Sequence, residues 1–148
     1  MSGGAGTEGR FIMTTSMQLV QQALAEITTL GLDEAMALIG QPDVQFIDIR
    51  ESAELRREGM IPGAFHAPRG LLEFWADPSC EWFQPAFEPG KRLVLFCAVG
   101  WRSALAAKAL QDMGVSKVSH IGGGFEAWKR AGAAVTPAPA KGEPDGPR

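Results

Sequence analysis

The stretch that most restricts what this chain can become lies at residues 93–113. Residues 93–96, Leu-Val-Leu-Phe, are apolar without interruption, as in a parallel strand buried on both faces. Residues 103–113 carry apolar side chains at 105, 106, 109, 110 and 113, one face of a helix. Only residues 97–102 join the two, with a glycine at 100. A thiol at Cys97 therefore sits at the mouth of a tight loop that runs into a helix N-terminus. Backbone N–H groups and the helix dipole favour an anion there, and such a setting favours thiolate over thiol. Cys97 reads as a nucleophile. A free cysteine is often only a small buried apolar residue, but packing alone explains poorly a cysteine followed by a glycine-containing loop, an arginine and a helix start. Gly100 also reads as a turn residue with positive φ, which is compatible with that role.

The run Cys97-Ala98-Val99-Gly100-Trp101-Arg102-Ser103 resembles the active-site loop of the rhodanese family, Cys-x-x-Gly-x-Arg-Ser/Thr. Three more stretches resemble the same family in the same order. Phe46-Ile47-Asp48-Ile49-Arg50-Glu51 is similar to its strand-end Asp-x-Arg segment. Residues 59–64, Gly-Met-Ile-Pro-Gly-Ala, resemble its Gly-His-Ile-Pro-Gly-Ala turn, with Met60 in the place of the histidine. Residues 122–128 resemble its closing Gly-Gly-x-x-x-Trp segment. The resemblance as a whole covers about residues 27–135.

Strand and helix patterns alternate along the chain. A short amphipathic helix is expected over 17–26, with Leu19, Val20, Ala23 and Leu24 on one side. Strands follow at 27–30, 44–49, 64–67, 93–96 and 115–121, and helices after Gly31, over 51–58 and over 125–131. This order implies an α/β domain with a central, mainly parallel five-stranded sheet and helices on both faces, and the resemblance implies a rhodanese-like one. Ligands bind such sheets beyond the carboxyl ends of the strands, where Cys97 lies. The domain is expected over 17–135, between a Gly-rich flexible leader at 1–16 and a Pro-rich disordered tail at 136–148. The leader lacks the basic start and apolar run of a secretory signal, and Met13 and Met17 are alternative native starts. A net charge of −3 leaves no footprint for nucleic acid, and no apolar stretch has the length of a membrane span. A disulfide between the two cysteines would consume the nucleophile, so a reducing, cytoplasmic setting is expected. Cys80 has no Cys-x-x-Cys partner and reads as incidental. His66 and His120 are isolated hydrogen-bonded histidines, and neither a metal nor a cofactor is expected.

The resemblance implies sulfur transfer: Cys97 takes the outer sulfur of a small sulfur-containing anion such as thiosulfate, or of a persulfide donor. It then passes that sulfur to cyanide, a thiol or a protein thiol. The loop N–H groups of Ala98, Val99, Gly100, Trp101 and Arg102 would stabilise the sulfur anions. The Arg102 guanidinium would orient the donor through paired N–H bonds, or else form a surface salt bridge. Arg69 is a further candidate for reaching the site. Asp48 and Arg50 are assigned to structural support, bracing the loops in the rhodanese pattern. Residues 71–87 carry several aromatics that cover a core edge, form one wall over Cys97, or make a homodimer contact. Two rivals remain. One is a non-catalytic sulfur-relay or interaction module. The other is a cysteine-dependent phosphatase or arsenate reductase. Phosphatases that share the rhodanese fold place five residues between Cys and Arg, whereas four separate Cys97 from Arg102, a loop better sized for one sulfur atom than for a tetrahedral oxyanion.

Overall fold

Side chains alternate across a strand, and on the central strand this divides the interior in two. Leu93, Leu95 and Cys97 enter one apolar cluster with Ile47, Trp75, Ala106, Ala107 and Leu110. Val94 and Phe96 enter the other with Phe46, Ile121, Phe125 and Trp128. The computed structural model describes residues 12–139. Its strands are β1 (Thr28–Leu30), β2 (Val44–Asp48), β3 (Phe65–His66), β4 (Arg92–Phe96) and β5 (Val118–Ile121). Its helices are α1 (Ser16–Glu26), α2 (Leu32–Leu38), α3 (Ser52–Glu58), α4 (Leu72–Ala76), α5 (Trp101–Asp112) and α6 (Gly124–Arg130). The sheet runs β1-β5-β4-β2-β3 with every pairing parallel. The expected α/β architecture is thus present, with α4 and α5 on one face and α2 and α6 on the other. No helix among the described residues is long and apolar enough to cross a membrane.

Three departures from the sequence reading have local causes. Helix α5 starts at Trp101 rather than Ser103, because Gly100 at its N-cap takes φ +103° and turns the chain at once into the helix. Its buried face is Ser103, Ala104, Ala106, Ala107 and Leu110 rather than the stripe ending at Met113, which is exposed. The alanines let α5 fit between the sheet and α1, where Ala104 packs on Val20 and Ala23. Strand β5 starts at Val118 rather than at 115. Gly114 (φ +95°) and Lys117 (φ +59°) are left-handed, and the Val115 N–H caps α5 at the Leu110 carbonyl, so 114–117 is a turn.

Helix α1 opens with a capping box between Thr15 and Gln18, and Thr136 exchanges backbone hydrogen bonds with Met60 at 2.7 and 2.8 Å. Most of the expected leader (1–11) and of the expected tail (140–148) lies outside the described residues. In the aromatic segment, Leu72, Trp75 and Phe87 are buried, with Phe65 edge-on to Trp75 and to Phe87. Phe74 and Trp82 instead form an exposed edge-to-face pair.

Candidate active site

Cys97 follows β4 directly and has no exposed surface. Its Sγ accepts two backbone hydrogen bonds, from the Gly100 N–H at 3.2 Å and the Ser103 N–H at 3.3 Å. The second has a simple origin. The first N–H groups of a helix lack intrahelical partners, and the N-cap of α5 is a glycine with no side chain to meet them. The cysteine sulfur takes that place, at the positive end of the helix. The loop's carbonyls are held on another side: Cys97 O accepts the Phe125 N–H at 2.8 Å and Ala98 O accepts the Glu126 N–H at 3.0 Å. The first turn of α6 thus binds the back of the loop. Gly124 (φ +60°) makes this approach possible, since a Cβ there would lie 2.5 Å from Cys97 O and 2.6 Å from Ala98 O.

The structure places the other candidates as follows. Val99 and Trp101 are exposed at the rim, with Trp101 the first residue of α5. Arg102 makes a two-pronged ion pair with Glu54 of α3, Nη1 to Oε2 and Nη2 to Oε1, each at 2.8 Å. The hydrogen bond from Arg102 holds the Glu54 carboxyl at about 2 despite partial burial, and Glu54 in turn raises the guanidinium above its ordinary value. Glu54 also accepts the Glu51 N–H at 2.9 Å, so the pair is fixed at the start of α3. Arg69 donates to Glu73, four residues on, at 2.7 Å. Arg50 and Asp48 form a buried pair, with Nε to Oδ1 at 3.0 Å and Nη2 to Oδ2 at 2.8 Å. Arg50 also donates to Gly59 O at 2.8 Å and lies 4.2 Å from the centre of the Phe125 ring. That one side chain thereby ties the end of β2 to the end of α3 and the start of α6. Cys80, on the aromatic segment, is a free thiol whose Sγ accepts the Trp82 N–H at 3.4 Å.

Four residues around Cys97 were not assigned to the site from the sequence, although His120 was read there as a hydrogen-bonded histidine. Glu54 stands three residues after Glu51, a capping spacing that gives no hint of Arg102. Ser103 was visible only as the last residue of the Cys97 motif. Thr29 and His120 are opposite each other on β1 and β5. His120 Nε2 lies 2.9 Å from Thr29 Oγ1, and His120 Nδ1 lies 2.8 Å from Ser103 Oγ. Burial lowers His120 to about 4, which leaves it neutral at pH 7.

Two clefts open near these residues. One of about 270 Å³ has Ala98, Phe125, Arg50 and Glu54 in its wall, with Lys129 and Glu126 also lining it. Another of about 570 Å³ is lined by Ser52 and Pro68, which follow β2 and β3, and by Leu71, Trp75, Trp82 and Gln84.

Comparison with known proteins gives a consistent picture. A solved structure from Rhodopseudomonas palustris, a protein of unknown function described as a possible tyrosine phosphatase, is 44% identical with a TM-score of 0.79, over 90% of this chain and 99% of that one. A sulfurtransferase of Allochromatium vinosum is 31% identical over 107 residues, 72% of this chain and 90% of its own length. Thiosulfate sulfurtransferase/rhodanese-like domain-containing protein 3 of Mus musculus is 28% identical over 100 residues, and the match spans 64% of its length. The rhodanese-like domain itself matches residues 31–131. That match takes in the whole run from α2 through the Cys97 loop to α6, and the chain belongs to the rhodanese-like domain family.

Proposed function

We propose that this chain is a sulfurtransferase that carries sulfane sulfur as a persulfide on Cys97, taking it from thiosulfate or a persulfide donor and passing it to cyanide or a thiol. The observation behind this reading is the Cys97 sulfur held by the Gly100 and Ser103 N–H groups at the N-terminus of α5. Preorganised donors of this kind stabilise a sulfur anion without reorganising during the reaction. In the first step the Cys97 thiolate attacks the outer sulfur of thiosulfate. A new S–S bond forms, the bond to the inner sulfur breaks, and sulfite leaves with the electron pair. In the second step cyanide or a thiolate attacks the terminal sulfur of the persulfide. Thiocyanate or the acceptor's persulfide departs, and the Cys97 thiolate is regenerated. Arg102 uses two of its five N–H groups on Glu54 and keeps others for the anionic end of the donor.

The second reading is a cysteine-dependent phosphatase, favoured by the 44% identical neighbour described as a possible tyrosine phosphatase. One experiment separates the two. The protein is incubated with thiosulfate, freed of excess donor and weighed by intact mass spectrometry. Sulfur transfer leaves one added sulfur atom, mapped to the peptide carrying Cys97. Cyanide removes it and releases an equal amount of thiocyanate. Cys97→Ser takes up none, while Cys80→Ser loads like the parent. An unmodified Cys97 together with hydrolysis of an aryl phosphate would overturn the proposal. Loading without repeated turnover would reduce it to a sulfur-relay module.

A further inference from the structure

His120 bonds one of the two residues whose N–H groups hold the Cys97 sulfur and lies beside the space next to the other. Its Nδ1 is 2.8 Å from Ser103 Oγ. A Cβ placed on Gly100 would come within 3.9 Å of His120 Cε1, so the ring borders the space beside that residue. On its far side Nε2 is anchored 2.9 Å from Thr29 Oγ1. We infer that His120 is a positioning residue for the thiolate cradle: strung between Thr29 and Ser103, its imidazole sets the helix turn whose N–H donors hold Cys97 Sγ.

Packing alone does not call for an imidazole at this position. His120 is 1% exposed, and a buried polar ring is costly unless its nitrogens are bonded. An aliphatic residue would fill a strand position facing α5 without that cost. Both nitrogens are bonded here, and to hydroxyls, which donate or accept as required. The chain Thr29–His120–Ser103 is therefore satisfied in either tautomer of the neutral ring. A helix serine commonly turns its hydroxyl back to a carbonyl of the preceding turn. The Ser103 hydroxyl instead reaches sideways to the sheet and ties the third residue of α5 to β5. Parallel pairing of Thr29 with His120 turns both side chains to the same face, so the brace runs from an outer strand of the sheet to the helix turn that holds the sulfur. His120 has no hydrogen bond to Cys97 and acts through Ser103. The inference rests on Cys97 working as a thiolate, and it holds whether that thiolate attacks sulfur or phosphorus.

The test titrates the thiolate itself. The chain contains no tyrosine, so absorbance at 240 nm against pH, in a Cys80→Ser background and corrected with Cys97→Ser, follows Cys97 alone. His120→Ala is expected to raise the midpoint by about one pH unit, a roughly tenfold loss of thiolate below it. His120→Asn, whose amide can meet Ser103 in place of Nδ1, should shift it by less than half as much. His120→Gln, whose amide reaches toward Thr29 instead, should match alanine, and it carries the test if His120→Ala does not fold. The Ser103→Ala/His120→Ala double variant should fall short of the sum of the single shifts. A His120→Gln midpoint equal to that of His120→Asn, a shift under about 0.2 unit in folded His120→Ala, or strictly additive shifts would each make His120 a core residue only. Thiosulfate loading of the parent protein judges sulfur transfer separately, because no donor is present in the titration.

Discussion

Between pH 7 and pH 4 the unfolded chain binds a proton at residue 120 that the folded chain resists. The ordinary value for the imidazole is 6.5, and burial holds it at about 4 in the folded protein. The lowered value means that the unfolded state takes up more protons throughout this window, so stability falls as pH falls. No penalty exists well above pH 6.5. By linkage it reaches about 2 kcal/mol at pH 5 and about 3 kcal/mol at pH 4, a large share of the ~5–15 kcal/mol typical of a domain. Glu54 acts in the same direction but later. Its folded value of about 2 against an ordinary 4.5 provides stability that is present above pH 4.5 and lost as pH drops toward 2. Urea unfolding followed by tryptophan fluorescence, with Trp75 and Trp128 in the core as reporters, separates the two at pH 7, 6, 5 and 3.5. His120→Asn, which has nothing to titrate, should flatten the curve between pH 7 and pH 5 and keep the loss below pH 4.5. A parent protein equally stable at pH 7 and pH 5, or a His120→Asn variant with an unchanged slope, would refute the reasoning.

Two further outcomes follow from the geometry of the loop. Arg102→Ala should lower thiosulfate turnover by about ten- to hundredfold, the effect of losing a charge-assisted contact of roughly 1.5–3 kcal/mol. Arg69→Ala, which breaks a part-exposed pair with Glu73, should change it by less than about threefold, and steady-state assays of the two variants test the order. Gly124→Ala combines a left-handed φ, costing roughly 1–2 kcal/mol, with a Cβ only 2.5 Å from Cys97 O. It should lose at least about 3 kcal/mol by urea unfolding, whereas Gly63→Ala (φ +80°, nothing within 4 Å of its Cβ) should lose only the conformational part.

How much could be read without the structure depended on how far apart in sequence the interacting groups lie. The apolar run at 93–96, the glycine at 100 and the helix after it are neighbours in the chain. Their local preferences agree, so the strand, the turn and the position of Cys97 were legible from residue types alone. The alternation of strand and helix patterns likewise implied a parallel sheet, since parallel neighbours need a crossover between them. Exact element limits were less legible: a left-handed Gly100 started α5 early, and the turn at 114–117 delayed β5. The partners of the site were not legible at all. Arg102 meets Glu54 across 48 residues, His120 meets Thr29 across 91, and the first turn of α6 grips the Cys97 loop from behind. Nothing in the spacing of these residues selects one another, because each contact is a product of strand order. Placing β5 between β1 and β4 sets His120 beside Thr29 and beneath Ser103, and brings Gly124 against the loop. The sequence by itself placed a cysteine sulfur at the end of a buried strand, before a helix start, on an α/β scaffold of parallel strands. Only the tertiary structure decided which side chains hold its donors in place, since hydrogen bonds and close backbone contacts are set by three-dimensional distance, which local patterns do not encode.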